Sequence, residues 1–198
     1  MTQSSRVDVR YLEASEHIDH GHPTIRQLAR DLAAGSDDPL AIAERCFVFV
    51  RDEIRHSVDF KMNPVTCKAS DVLLHRTGYC YAKSHLLAAL LRANRIPAGL
   101  CYQRLTVGDV GPPFCLHGLN AVFLPEHGWY RIDARGNKPG VNAQFTPPLE
   151  WLAFAVRPPH EADFPEIFAE PLPVIVETLL PNRTWDQVAA CLPDQALN

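Results

Sequence analysis

The chain reads as an α+β fold. Helical signals dominate its first half, strand signals cluster from near residue 100, and the two kinds do not alternate regularly. Of its 198 residues 46% are hydrophobic and 21% charged, which fits a packed globular protein and excludes a disordered one. That length supports one domain with a real core.

The first signals are mixed. Residues 7–12 alternate in polarity and are expected as a strand. Residues 24–34 put Ile25, Leu28, Ala29 and Leu32 on one helical face, and Gly35 supplies a stop. The next helix is announced by Asp38 as N-cap and Pro39 in the first turn. Ile42, Cys46, Phe49, Val50 and Ile54 then recur at helical spacing, to an expected end near His56. Residues 60–69 read as a loop through Asn63-Pro64. Ser70 is the expected cap of a short helix over 71–74, broken near Gly78. From Cys80 a helix runs to about Arg95 with Leu86, Leu87, Leu90 and Leu91 as its core face, and Ile96-Pro97 ends it.

Strands follow at 100–107, 115–124 and 129–134, with a loop at 108–113 and the last two strands as arms of a hairpin. The last 52 residues hold nine of the seventeen prolines. Within them Val174-Ile175-Val176 is expected as a short strand, and Thr184-x-x-Gln187 has the form of a capping box opening a final helix. The organisation expected is one domain over 1–198: a helical part to about 77, a core over about 78–140, and a proline-rich wrap over about 141–198.

Chemistry concentrates at three positions. Cys80 stands directly before an apolar helical run, in Thr77-Gly78-Tyr79-Cys80-Tyr81. His117 and Asp133 follow on strands. A thiolate is the reactive form of cysteine, and a helix N-terminus with a nearby imidazolium favours it. An acid behind the imidazole orients it and stabilises its charge. The hairpin permits the last pair to meet. With Pro125-Glu126-His127 as its loop, Leu124 pairs with Gly128 and Leu119 lies opposite Asp133. His117 is then the diagonal, same-face neighbour of Asp133. A loop one residue shorter or longer turns them to opposite faces. Cys115 shares the face of His117 and is a rival thiol, ranked lower because it opens no helix. Tyr79 and Tyr81 flank Cys80 and are candidate substrate-binding residues. Arg135, Asn137 and Lys138 are candidates for the rim or for a polar turn.

The Gly78-Tyr79-Cys80 start, the segment Leu90-Leu91-Arg92-Ala93-Asn94-Arg95-Ile96-Pro97-Ala98, and His117 followed by Gly128-Trp129-Tyr130-Arg131-Ile132-Asp133 together resemble the transglutaminase-like superfamily of papain-type cysteine enzymes. The resemblance is strongest over about residues 70–136. It implies a nucleophile at the start of a buried helix packed on an antiparallel sheet. It further implies Cys80 as nucleophile, His117 as general base and acid, and Asp133 as orienter. The reaction implied is acyl transfer on a peptide or amide-bearing substrate through a thioester, with no cofactor and no metal. Some members hold the oxyanion with a tryptophan upstream of the cysteine. Here Trp129, Trp151 and Trp185 all lie downstream, so only the Cys80 N–H is identified as a donor. There is no EF-hand calcium loop of the kind that a calcium switch would use.

The leading expectation is therefore a peptidase or amidase, with a protein-glutamine transglutaminase as the alternative. Arylamine N-acetyltransferases, which would use acetyl-CoA, are a further alternative because Gly78-Tyr79-Cys80-Tyr81 faintly resembles their cysteine motif. A scaffold or binding module without turnover is the non-enzymatic one.

Other features narrow the class. Net charge is −4 and no long Lys/Arg run occurs, so neither nucleic acid nor an anionic membrane is an expected partner. The first ten residues lack a signal peptide's apolar stretch, and no run of about 18 apolar residues exists, so the cytoplasm is the expected compartment. The six cysteines have no C-x-x-C spacing and are expected as thiols. His17, His20 and His22 form an H-x-x-H-x-H cluster that three imidazoles could turn to zinc or nickel. A polar loop entering the first helix is the preferred reading.

Overall fold

The structure, a computed structural model, describes residues 7–108 and 111–196. After a 3-10 turn at Val9–Tyr11 come α1 (Pro23–Ala33), α2 (Pro39–Glu53), β1 (Arg55–His56), α3 (Ser57–Phe60), α4 (Ala69–His75), β2 (Thr77–Gly78) and α5 (Cys80–Ala93). Then follow β3 (Ala98–Thr106), β4 (Phe114–Leu124), β5 (Gly128–Ile132), β6 (Gln144–Thr146), β7 (Leu149–Trp151), β8 (Ala162–Asp163), α6 (Pro173–Leu179) and α7 (Trp185–Ala189). The main sheet is antiparallel in the order β5-β4-β3-β8. Two small pairs accompany it, β1–β2 parallel and β6–β7 antiparallel. Asp109 and Val110 of the expected loop at 108–113 lie outside the described residues, as do the first six residues of the N-terminal stretch.

The helix signals act as read. Asp38 Oδ1 accepts the Leu40 N–H at 3.0 Å and caps α2, and Gly35 beyond α1 takes a positive φ of 75°. Four local expectations are corrected. Residues 7–12 are no strand: Asp8 Oδ1 accepts the Arg10 N–H at 3.0 Å and closes a turn instead. Helix α2 stops at Glu53, because Ile54 turns extended and leads into β1. Helix α4 starts at Ala69, not after a Ser70 cap; the Ser70 N–H goes to Asp19 Oδ1 at 3.0 Å. Val174-Ile175-Val176 is helical in α6, because Pro173 opens a first turn and Ile175 and Leu179, four apart, both reach the core.

Helix α5 is the centre of the molecule. Every residue from Cys80 to Arg92 is buried, with α1, α2 and α4 on one side and β3 and β4 on the other. The four expected leucines are one face of a helix that is enclosed all round. Its polar residues need internal partners, since an unpaired buried charge is costly. Lys83 Nζ donates to the carbonyls of Arg51 and Ile54 at the end of α2. Burial, with the Arg135 charge adding to it, pushes that ammonium down to about 7. Arg92 staples three segments: it donates twice to Ala98 O (3.0 and 2.9 Å), to Glu13 O (2.8 Å) and to Ala169 O (2.7 Å).

The C-terminal segment packs on the same core. Leu100 and Phe168 exchange backbone hydrogen bonds of 2.7 and 2.9 Å, and Phe164 N–H reaches Tyr102 O at 2.9 Å. Gly99 makes this approach possible, since a Cβ there would lie 2.3 Å from Ile167 Cγ2. Leu172, Ile175, Leu179 and Val188 join the cluster that contains α5.

Because Arg92 satisfies one buried carbonyl and two part-buried ones at once, Arg92→Met is expected to cost about 2 kcal/mol in urea unfolding, from unpaired acceptors. A loss below about 1 kcal/mol would show that the staple is dispensable.

Candidate active site

The site forms where two elements end. Strand β5 stops at Ile132, opposite Asn120 of β4, which leaves the next inward-pairing N–H of β4 without a strand partner. That group, the Gly118 N–H, donates to Cys80 Sγ at 3.4 Å. The following one, Leu116 N–H, is taken by Pro193 O at 2.7 Å. The open edge of β4 therefore receives the first turn of α5. Gly118 permits the contact: a Cβ there would meet Tyr81 Cδ1 at 3.0 Å and the Tyr81 backbone at 3.1 Å.

The hairpin has the expected register. Leu124 pairs with Gly128 across a three-residue loop, and Asn120 with Ile132. His117 Nε2 and Asp133 Oδ2 lie 2.7 Å apart. Asp133 is fully buried and well supplied: Oδ2 also accepts the Ala153 N–H at 3.0 Å, and Oδ1 accepts the Arg135 N–H at 3.1 Å. Burial works against its charge, but His117 and these backbone donors hold its carboxyl below the usual range. His117 lines the same cavity as Cys80, and with Nε2 committed to Asp133 the ring nitrogen left for a second partner is Nδ1. Burial of the imidazole opposes its charge, yet Asp133 and Cys80 together raise it to about 10. The Phe154 ring stands edge-on to His117, centroids 4.9 Å apart, and walls it from solvent.

A cavity of about 590 Å³ opens onto these groups. Leu105, Val107 and Leu192 give one part an apolar lining, and Asp59, Arg135 and Lys138 give another part a charged one. Asp59 takes both Arg135 (2.7 and 3.2 Å) and Lys138 (2.6 Å). Although burial raises its carboxyl, these cations bring it down to about 2. Arg135 and Lys138 thus stand in the wall, whereas Asn137 turns away to bond the Ala143 N–H at 2.7 Å. Tyr79 and Tyr81 also line the cavity, but their hydroxyls are committed to the carbonyls of Trp185 and Leu116. What they offer a ligand is ring surface. Cys115 lines the cavity too; burial pushes its thiol up to about 12, with the nearby Cys80 adding to the effect.

His56, Phe154 and the Ala153 N–H carry no signal in the sequence. Each arrives by chain reversal, the first through a two-residue ladder and the others from the segment after β7. The histidine cluster disperses: His17 Nδ1 approaches the buried Cys67 Sγ at 3.6 Å, His20 bonds Leu12 O at 3.1 Å, and His22 caps α1. Among the described residues no three His, Cys, Asp or Glu side chains are grouped to hold a metal. All six cysteines are free. No helix among the described residues is long and apolar enough to cross a membrane.

A buried helix opening on cysteine, set against an antiparallel sheet whose strand β4 carries a histidine bonded to an aspartate just past the end of β5, defines a papain-like fold. The chain belongs to the transglutaminase-like superfamily, whose family model matches residues 26–134, more than half of its length. Among solved structures it is similar to a candidate cysteine protease from Cytophaga hutchinsonii, with a TM-score of 0.52 and 19% identity over 68% of this chain and 45% of that one. It is also similar to the periplasmic domain of TgpA from Pseudomonas aeruginosa, with a TM-score of 0.50 and 24% identity over 65% of this chain and 48% of that one. These likenesses are of fold, and the chain spans less than half the length of either structure. No curated protein matches the sequence.

Two outcomes test the geometry. Folded His117 keeps its proton to about pH 10, but unfolded it releases it near 6.5. Its stabilisation is thus complete below 6.5 and lost as pH rises to about 10. Lys83 runs the other way, from about 7 folded to about 10.5 unfolded, so its cost is relieved over a similar window. Asp133→Asn removes the main support of the His117 charge and leaves Lys83 buried. Relative to wild type it is expected to gain stability between pH 6.5 and 9.5 in urea unfolding, and parallel profiles would refute the pairing. Separately, Gly118→Ala should push β4 from α5 and slow iodoacetamide labelling of Cys80 at least tenfold, read by peptide mass spectrometry; an unchanged rate would show that the close approach is not needed.

Proposed function

We propose that the protein is a cysteine-dependent acyl-transfer enzyme that cleaves a peptide or amide bond, with Cys80 as nucleophile, His117 as general base and acid, and Asp133 as the group that orients His117. The observation that carries this reading is the buried His117 Nε2–Asp133 Oδ2 pair, 2.7 Å apart, whose histidine lines one cavity with Cys80 at the start of α5. Membership of the superfamily supports it.

The chemistry follows from the positions. His117 Nδ1 accepts the Cys80 proton, and sulfur attacks the amide carbonyl carbon. Asp133, held anionic by two backbone donors, stabilises the imidazolium and keeps the ring aimed at sulfur. When the tetrahedral intermediate collapses, the C–N bond breaks and His117 gives its proton to the leaving amine. The thioester on Cys80 is then opened by water, with His117 acting again as base. A primary amine in place of water gives the transferase outcome. The mixed lining of the cavity, apolar at one part and cationic-anionic at another, suits a peptide-like donor better than a flat aromatic one.

The test is a labelling experiment on all six cysteines. Iodoacetamide at pH 6–7 is expected to modify Cys80 faster than Cys115, and His117→Ala should remove that advantage. p-Nitrophenyl acetate should leave an acetyl group on Cys80, absent in Cys80→Ser, and added glycine ethyl ester should accelerate its loss only if amine is an accepted acyl acceptor. Cys115→Ala should change neither rate by more than about threefold. A Cys80 that labels no faster than Cys115 would sink the assignment.

A further inference from the structure

His56 is the buried polar side chain of the cavity wall for which the proposed mechanism has no use. The β1–β2 ladder sets it opposite Gly78, two residues before Cys80, and its ring stands edge-on to Tyr79 with centroids 5.6 Å apart. Only 7% of the residue is exposed, and that part faces the cavity shared with Cys80 and His117. Among the described residues neither ring nitrogen has a hydrogen-bond partner. Nδ1 is sealed and unpartnered, 3.7 Å from Asp59 Oδ2, while Nε2 is the nitrogen on the open side. A buried imidazole that serves only packing is normally bonded at a nitrogen, because an unpaired polar group costs about 1–3 kcal/mol. Nε2, on the open side toward the cavity and without a hydrogen-bond partner among the described residues, is placed to bond a ligand there.

The charge around the ring decides what it offers. Burial, followed by the charges of Arg135, Lys83 and His117, holds His56 well below the usual histidine range, so it is neutral and carries one N–H. Arg135 acts on the ring more strongly than Asp59, whose charge Arg135 and Lys138 already engage. We take the proton to sit on Nε2, because the Asp59 carboxylate that Nδ1 faces at 3.7 Å is already engaged by Arg135 and Lys138. A second donor stands nearby: the Cys80 N–H opens α5, where no carbonyl of the helix can accept it.

Resting on the acyl-transfer reading above, we propose that His56 Nε2–H and the Cys80 N–H together form the oxyanion site, making His56 a catalytic residue that bonds the substrate carbonyl oxygen. As the C–S bond forms, the carbonyl π pair moves onto oxygen and is held by these two donors. As the C–N bond breaks, that pair returns to restore C=O, and the amine leaves with the His117 proton. A neutral donor suits this task, since it is placed in advance and needs no proton movement of its own.

Two probes separate the oxyanion from the thiol. Acylation by p-nitrophenyl acetate passes through a tetrahedral oxyanion, whereas alkylation by iodoacetamide displaces iodide at carbon and forms none. In His56→Phe the acylation rate of Cys80 should fall about 10²–10³-fold, the usual effect of losing one oxyanion donor, while alkylation stays within about threefold. His56→Gln, which restores an N–H donor, should recover acylation to within about tenfold of wild type. Unchanged acylation in His56→Phe, or acylation and alkylation falling together with no rescue by Gln, would overturn the proposal. Should the Phe variant not fold, wild-type protein treated with acetaldehyde carries the test: the hemithioacetal on Cys80 should move the His56 Nε2–H proton downfield in ¹⁵N-edited NMR, and an unmoved signal refutes it. Wild-type Cys80 that alkylates fast yet never acylates would overturn the oxyanion site alone. Cys80 that does neither would overturn the acyl-transfer reading itself.

Discussion

The contact between the first turn of α5 and the open edge of β4 is the constraint on which the site depends. It exists because β5 is one hydrogen-bonding step too short to cover Gly118, so a sulfur takes the place of a strand. Two rigid elements are thereby fixed to each other at the atoms that would react. The same geometry explains why a glycine stands beside His117: any side chain there would separate Tyr81 from the strand.

Holding that junction in place requires the rest of the domain. Helix α5 is enclosed on every side, and three of its polar residues, Lys83, His85 and Arg92, find carbonyl partners in other segments. Lys83 joins α5 to the end of α2, next to the strand that carries His56. Arg92 joins the far end of α5 to both the N-terminal and the C-terminal segments. A buried cation with several carbonyl acceptors contributes more to fixing positions than to net stability, since its desolvation offsets much of the attraction. For a site in which sub-ångström placement matters, that rigidity is the useful part.

Electrostatics divides the cavity floor into two zones. Around His117, the buried Asp133 favours positive charge and keeps the imidazole protonated. Around His56, burial first and then the charges of Arg135 and Lys83 disfavour it and keep the imidazole neutral. Two histidines within one cavity are thus driven in opposite directions by their surroundings, the separation on which the proposed division of their roles rests.

The sequence by itself determined the helix that opens on Cys80, the hairpin with its three-residue loop, and hence the face shared by His117 and Asp133. These rest on local chemistry: caps, periods of 3.6 and 2, and a turn length that sets register. It also named Cys80, His117 and Asp133 together; His117 and Asp133 are hydrogen-bonded, and Cys80 lines the same cavity as His117. It misjudged residues 7–12 and 174–176, where a local cap and tertiary packing outweighed strand-like composition. Only the tertiary structure decided what surrounds the three residues. His56 comes to Gly78 through a parallel ladder between segments 22 residues apart, and Ala153 and Phe154 return to the site from beyond β7. No periodicity encodes such encounters, because they follow from where the chain can pass once α5 is buried and β5 has ended.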